Sequence, residues 1–204
     1  MEPPPVSGDT QVQEPTWLAD EAAIIARAQQ HLAAFAPLYQ AYVDPVYRYC
    51  YRRLGSREAA EDATSLIFER VLRALPTFRG ASFRAWLFAI AHNTITDAYR
   101  RQGARARVAS AHLEEADELS DPAPAPEQLA LLADEQRPLA TALALLPGEQ
   151  RQVIELRLSG IPSVEIAHIL GRSPEAIRAL QLRATRRLQA ILSAPGATRE
   201  VRNA

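Results

Sequence analysis

The chain is short of the residues that most often carry chemistry. Of its 204 residues only Cys50 is a cysteine, which excludes an intrachain disulfide framework and a cysteine-rich zinc site. Cys50 lies in an aromatic helical stretch and is expected to be a buried structural thiol. The four histidines, His31, His92, His112 and His168, are scattered and form no HExxH pair. Neither a Walker loop nor a GxGxxG turn is present, and the carboxylates gather in a Pro/Ala-rich stretch that would not hold a rigid catalytic pair. No enzyme is therefore expected, and no cofactor or metal. Aromatics make up only 6%, so the cores must be built from Leu, Ile, Val and Ala, which suits helices better than β-sandwiches. No run of 18 apolar residues exists, so membrane insertion is not expected. The opening MEPPPVSGDT lacks the basic-then-apolar order of a signal peptide, and the cytoplasm is the expected location.

What the chain has is charge in blocks. Lysine is absent, and all 23 basic residues are arginine. The net charge of −1 conceals −4 over residues 1–30, +6 over 31–107, −8 over 108–150 and +5 over 151–204. Two basic blocks separated by an acidic one point to polyanion binding at two places. The plainer alternative is two ordinary helical domains with a solvated acidic linker between them.

Periodicity predicts an all-α chain of two small domains. Residues 1–16 offer too little apolar surface to order. Helical spacing runs from about Trp17 to Val43, and a second aromatic helix from Pro45 to about Leu54 is ended by Gly55. Glu58–Leu75 is amphipathic, with Ala63, Ile67, Val71 and Leu75 on one stripe and Asp62, Leu66, Glu69 and Arg73 on another face. Ser82 is a plausible N-cap for a helix reaching about Arg101, with Phe83, Leu87, Ile90, Thr94 and Ala98 toward the core. Residues 103–138 form an acidic, proline-containing linker. Gly148–Leu158 and Ser163–Leu170 are helices, Gly171-Arg172-Ser173 a turn, and a last helix runs to about Leu192. The Gly-containing turn between two helices marks a helix-turn-helix. The domains are then 17–102 and 139–192, with tails 1–16 and 193–204.

Two faces have chemistry suited to nucleic acid. The last helix exposes Glu175, Arg178, Gln181, Arg183, Arg186 and Arg187 off its buried stripe. Its first residues can reach base edges in a major groove while the later arginines meet phosphates. The alternative is a helical hairpin with a solvated basic face. On the helix Ser82–Arg101, Trp86, Ala89, Asn93, Asp97 and Arg100 align at spacings of three and four. An aromatic ring, an amide and guanidinium groups suit unpaired bases. The alternative is a buried tryptophan beside a surface polar network.

The segments EDATSLIFERVLRALPTF and FRAWLFAIAHNTITDAYRR resemble region two of the extracytoplasmic-function sigma factors. LPGEQRQVIELRLSGIPSVEIAHILGRSPEAIRALQLRATRRLQ resembles their region four. The matches cover roughly residues 35–105 and 139–192, in the family's order. The resemblance implies a subunit that gives RNA polymerase promoter recognition and promoter melting. It places Asp62, Ser65, Leu66, Glu69 and Arg70 on the polymerase clamp helices. Ser65 stands where Gln is frequent and Leu66 where an acid is frequent, so that contact is expected to be more apolar. Trp86, His92, Asn93, Asp97, Arg100 and Arg101 fall in the segment that melts and reads the minus-ten element. The loop Pro76–Ser82 matches the one that captures a flipped base of the non-template strand. Arg172, Ser173, Glu175, Arg178, Gln181 and Arg183 match the reader of the minus-thirty-five element, and Arg186 and Arg187 extend it along the phosphates. The implied partners are core RNA polymerase, through its clamp helices and flap region, promoter DNA as duplex and as non-template single strand, and an anti-sigma factor. The rival is a stand-alone helix-turn-helix regulator that binds duplex DNA without polymerase. A protein-interaction adaptor is opposed by the two Arg-rich blocks.

Overall fold

The computed structural model of the chain describes residues 20–109 and 137–193. The expected N-terminal tail 1–16, most of the acidic linker and nearly all of the C-terminal tail lie outside the described residues. Among the described residues all regular structure is helical. The elements are α1 (Glu21–Gln30), α2 (Ala36–Leu54), α3 (Arg57–Ala74), α4 (Phe83–Ala109), α5 (Arg137–Ala144), α6 (Gly148–Leu158), α7 (Ser163–Leu170) and α8 (Pro174–Ser193).

The N-terminal unit is built on α2, α3 and α4. In α2 the buried residues Leu38, Tyr42, Val46, Tyr49 and Arg53 recur every three or four positions. That stripe passes straight through Pro45, where the sequence suggests a break after Val43. The helix is continuous instead. An internal proline costs a helix about 3 kcal/mol. Burying a large apolar side chain stabilises by about 1.5–3 kcal/mol, so Tyr42, Val46 and Tyr49 together outweigh it. The break falls earlier, at His31, whose extended backbone (φ −134°, ψ 105°) leads into a 3-10 turn over Leu32–Phe35. Gly55 ends α2 with φ 69°, a left-handed cap that only glycine adopts without cost.

Serine side chains start the helices that follow. Ser56 Oγ accepts the Ala59 N–H at 3.3 Å, and Ser82 Oγ accepts the Ala85 N–H at 3.1 Å. α4 buries Phe83, Leu87, Phe88, Ala91 and Ile95, while Ile90 and Ala98 are half-buried, so its inward stripe is rotated slightly from the expected one. It also continues to Ala109, past the expected end near Arg101. Cys50 is fully buried, and burial above all pushes its thiol up to about 12, which leaves it inert at neutral pH.

The C-terminal unit packs α6 and α7 against α8 through Val153, Leu156, Ile161, Ile166, Ile177 and Leu180. It also docks on the N-terminal unit through a shared apolar cluster and a buried ionic contact. Arg53 of α2 donates from Nη1 to Glu155 Oε2 of α6 at 3.2 Å, and Arg151 Nε donates to Glu155 Oε1 at 2.8 Å. These side chains are no more than 1% exposed. Arg151 Nη2 further donates to the carbonyls of Arg52 and Arg53, each at 3.3 Å. Those are last-turn carbonyls of α2 with no partner within the helix, so a guanidinium from the other unit caps the negative end of its dipole. The Tyr99 hydroxyl of α4 donates to the same Arg53 carbonyl. At the other edge, Arg84 of α4 lies over Gly160, where an added Cβ would fall 2.5 Å from its Nη1.

Candidate nucleic-acid and polymerase interfaces

α8 begins as its sequence predicts. Ser173 Oγ accepts the Ala176 N–H at 3.2 Å, Pro174 occupies the first helical position, and Glu175 follows in the first turn. The Glu175 carboxyl is held below the usual carboxylate range, foremost by hydrogen bonding at its own backbone N–H and then by Arg178. Arg178 donates to it at 2.7 Å, so the two form one exposed acid–base pair at the tip of the helix. Arg183, Arg186 and Arg187 are exposed and pair with no acid among the described residues. Arg172 pairs with Glu149 at the start of α6, so its charge also braces the unit. Gln181 is half-buried and accepts the Ser163 hydroxyl at 3.0 Å, which ties the recognition helix to the first turn of α7. Leu182 was not anticipated. At 53% exposure it lies on the outer face between Glu175, Arg178 and Arg186. Its signal was its position two residues after the buried Leu180, off the stripe formed by Ile177, Leu180 and Ala184.

On α4 the structure separates one residue from the predicted face. Asn93, Arg100 and Arg101 are exposed, and Trp86 and Asp97 are half-exposed. His92 is 8% exposed and turned inward, with Nδ1 3.3 Å from the Tyr49 hydroxyl. It is not part of the exposed surface with Asn93. Asp97 accepts from Arg70 of α3 at 3.5 Å, and Arg70 also donates to the Thr94 hydroxyl at 3.0 Å. The sequence suggests separate surfaces for Arg70 and Asp97, whereas this pair joins the edges of α3 and α4. On α3, Asp62, Ser65 and Glu69 are exposed and Leu66 is half-buried. Ser65 Oγ bonds back to the Glu61 carbonyl at 3.0 Å, and Glu69 pairs with Arg73 at 2.6 Å.

The loop between α3 and α4 is joined to the α4 face by aromatic rings. The Phe78 ring centroid lies 4.7 Å from that of Trp86 and 5.9 Å from that of Phe83. The ring folds over Gly80, where a Cβ would sit 2.8 Å from Phe78 Cε2. Any larger residue at position 80 would push Phe78 off Trp86. The buried Phe78 ring thus backs the half-exposed Trp86, which shares its helix face with the exposed Asn93, a ring and an amide suited to unpaired bases.

Residues 38–105 match the family profile of Sigma-70 region 2, and residues 136–188 that of Sigma-70 region 4. Over 173 residues the chain is 37% identical to the ECF RNA polymerase sigma factor BldN of Streptomyces coelicolor, covering 83% of this chain and 64% of BldN. Thus it spans somewhat less than two thirds of that relative. Over 160 residues it is 34% identical to the ECF RNA polymerase sigma factor ShbA of Streptomyces griseus, covering 74% of this chain and 84% of ShbA. Among solved structures it is similar to CnrH in complex with the cytosolic domain of CnrY. That match has a TM-score of 0.61 and 25% identity, and covers 85% of this chain and 97% of that one.

Proposed function

The chain belongs to the extracytoplasmic-function RNA polymerase sigma factors, and on that premise we propose that its two helical units read a bipartite promoter on behalf of core RNA polymerase. The region-two unit, residues 17–102, traps unpaired bases of the minus-ten element. The region-four unit, residues 139–192, reads the minus-thirty-five duplex through α8. Residues 103–138 join them, with α4 continuing some way into that segment. The chain does no chemistry of its own and acts in the cytoplasm. Among the described residues no helix is long and apolar enough to cross a membrane.

The observation that carries this reading is the continuity of Phe78, Trp86 and Asn93. A protein that reads only duplex DNA has no use for a half-exposed tryptophan backed by a buried ring, beside an exposed amide, away from its helix-turn-helix. On α8, Glu175, Arg178 and Leu182 meet base edges, where Leu182 suits a thymine methyl, and Arg183, Arg186 and Arg187 meet phosphates. The α3 face of Asp62, Ser65, Leu66, Glu69 and Arg70 docks on the polymerase clamp helices, and the region-four unit on the flap. CnrH is bound to the cytosolic domain of CnrY in its solved complex, and we propose that this chain likewise takes a protein partner, an anti-sigma factor.

Transcription from a promoter library by core polymerase, with and without the chain, tests the reading. Trp86→Ala and Asn93→Ala are expected to preserve closed complexes and impair opening, with partial rescue on a pre-melted template. Specific duplex binding by the chain alone, unchanged by polymerase, would establish the stand-alone regulator instead.

A further inference from the structure

Gln29 lies on α1, nine residues before the segment that matches region two. Its side-chain amide nevertheless reaches the loop that follows α3. Nε2 donates to the Leu75 carbonyl at 3.0 Å and to the Phe78 carbonyl at 2.9 Å. The two acceptors bracket the point where the chain leaves α3 and turns into the loop. Phe78 is also the residue whose ring packs at a tilt against Trp86.

Between α1 and the loop lies a cavity of about 240 Å³, lined by Glu21, Ile25, Gln29, Phe78, Arg79 and Gly80 among others. The loop is therefore held to α1 by two hydrogen bonds, next to the buried Leu75 and Phe78, with open space on one side. Arg79 Nη1 donates to the carbonyls of Pro76 and Phe78, at 3.0 and 2.7 Å, but this ties the loop only to itself. At its other end α1 is fixed by Glu21, whose carboxylate accepts the Tyr42 hydroxyl at 2.7 Å. Helix α1 is thus anchored on the core and can hold the loop in a set position.

We propose that Gln29 is a positioning residue for base capture: it clamps the Leu75 and Phe78 carbonyls so that the 76–82 loop, and the Phe78 ring that backs Trp86, stand ready before DNA arrives. The inference rests on the reading of that loop as the minus-ten capture site. Pre-organisation of this kind raises affinity by removing the cost of ordering the loop on binding.

The test uses holoenzyme reconstituted with the full-length chain and a promoter bubble whose unpaired positions are varied through all four bases. Gln29→Met and Gln29→Glu keep the size but remove both N–H donors. Each is expected to weaken bubble binding about tenfold and to narrow the preference among bases, with polymerase binding and thermal stability close to wild type. Gln29→Lys, which restores N–H donors, is expected to recover most of the loss. A Gln29→Met holoenzyme with wild-type bubble affinity and base preference, beside a defective Trp86→Ala, would overturn the positioning role and leave the capture reading intact. Should Trp86→Ala also bind the bubble normally, the capture reading itself falls and this inference with it. An equal loss for bubble, duplex and polymerase, together with a lower melting temperature, would make Gln29 a fold-holding residue only.

Discussion

His92 shares a hydrogen bond with the Tyr49 hydroxyl in the middle of the N-terminal unit, and its surroundings set its charge. Burial, with Arg53 nearby adding to it, pushes its pKa down to about 4. The ring is thus neutral in the folded protein at physiological pH. In the unfolded chain it takes a proton near the ordinary value of about 6.5. Its contribution to stability is full above that value and is lost as pH falls toward 4. Urea unfolding should therefore show the protein about 2 kcal/mol less stable at pH 5 than at pH 7 from this residue. In His92→Gln that share of the pH dependence should vanish. A wild type and variant with the same pH slope would show that His92 takes up its proton in the folded protein as it does in the unfolded chain. Sequence alone did not separate His92 from Asn93, because neighbours on a helix share a segment while pointing about 100° apart. Leu182 is the opposite case. Sorting residues into apolar and polar assigns every leucine to the core, and only its angular distance from Leu180 places it outside.

On the proposed reading, helix α8 carries two tasks on different residues, and a pair of substitutions separates them. Arg178 stands one turn into the helix beside Glu175, where side chains reach base edges. Arg187 stands more than two turns further on, exposed. Arg178→Ala is expected to cost about 1–3 kcal/mol on the preferred upstream element and little on variants of one base pair. Arg187→Ala should weaken binding to all sequences and flatten its salt dependence. Competition binding across single-base-pair variants at several salt concentrations distinguishes the two, and a base-specific defect from Arg187 with a uniform one from Arg178 would reverse the assignment. At this scale the sequence was largely readable. The Ser-Pro-Glu start of α8, the Gly171 turn and the Ser82 cap stand where local chemistry puts them. The misplacement at Pro45 has a physical cause. A proline's penalty is local and visible in the sequence, while the burial that offsets it depends on α3 and α4 lying across Tyr42, Val46 and Tyr49. The extension of α4 to Ala109 likewise ignored a composition change that would suit a linker.

The way the two units sit together was invisible in the sequence. Arg53 and Glu155 are 102 residues apart, and nothing local to either helix pairs them. In the folded chain they are fully buried with Arg151. Removing the shared acid would leave two buried guanidinium groups facing each other. Glu155→Ala is therefore expected to destabilise the protein by about 3–5 kcal/mol, read from urea unfolding. A change below about 1 kcal/mol would mean that water or movement of the units relieves the arginines. Replacing Arg53, Arg151 and Glu155 together by apolar residues of similar volume should recover much of that loss. This arithmetic also bears on inheritance. Losing Glu155 alone leaves two buried guanidinium groups without their shared acid, while losing either arginine alone leaves a buried arginine–glutamate pair. Glu155 is therefore expected to be retained wherever both arginines are. Lineages that drop Glu155 should be found to have dropped Arg53 as well, so the two helical units cannot drift independently.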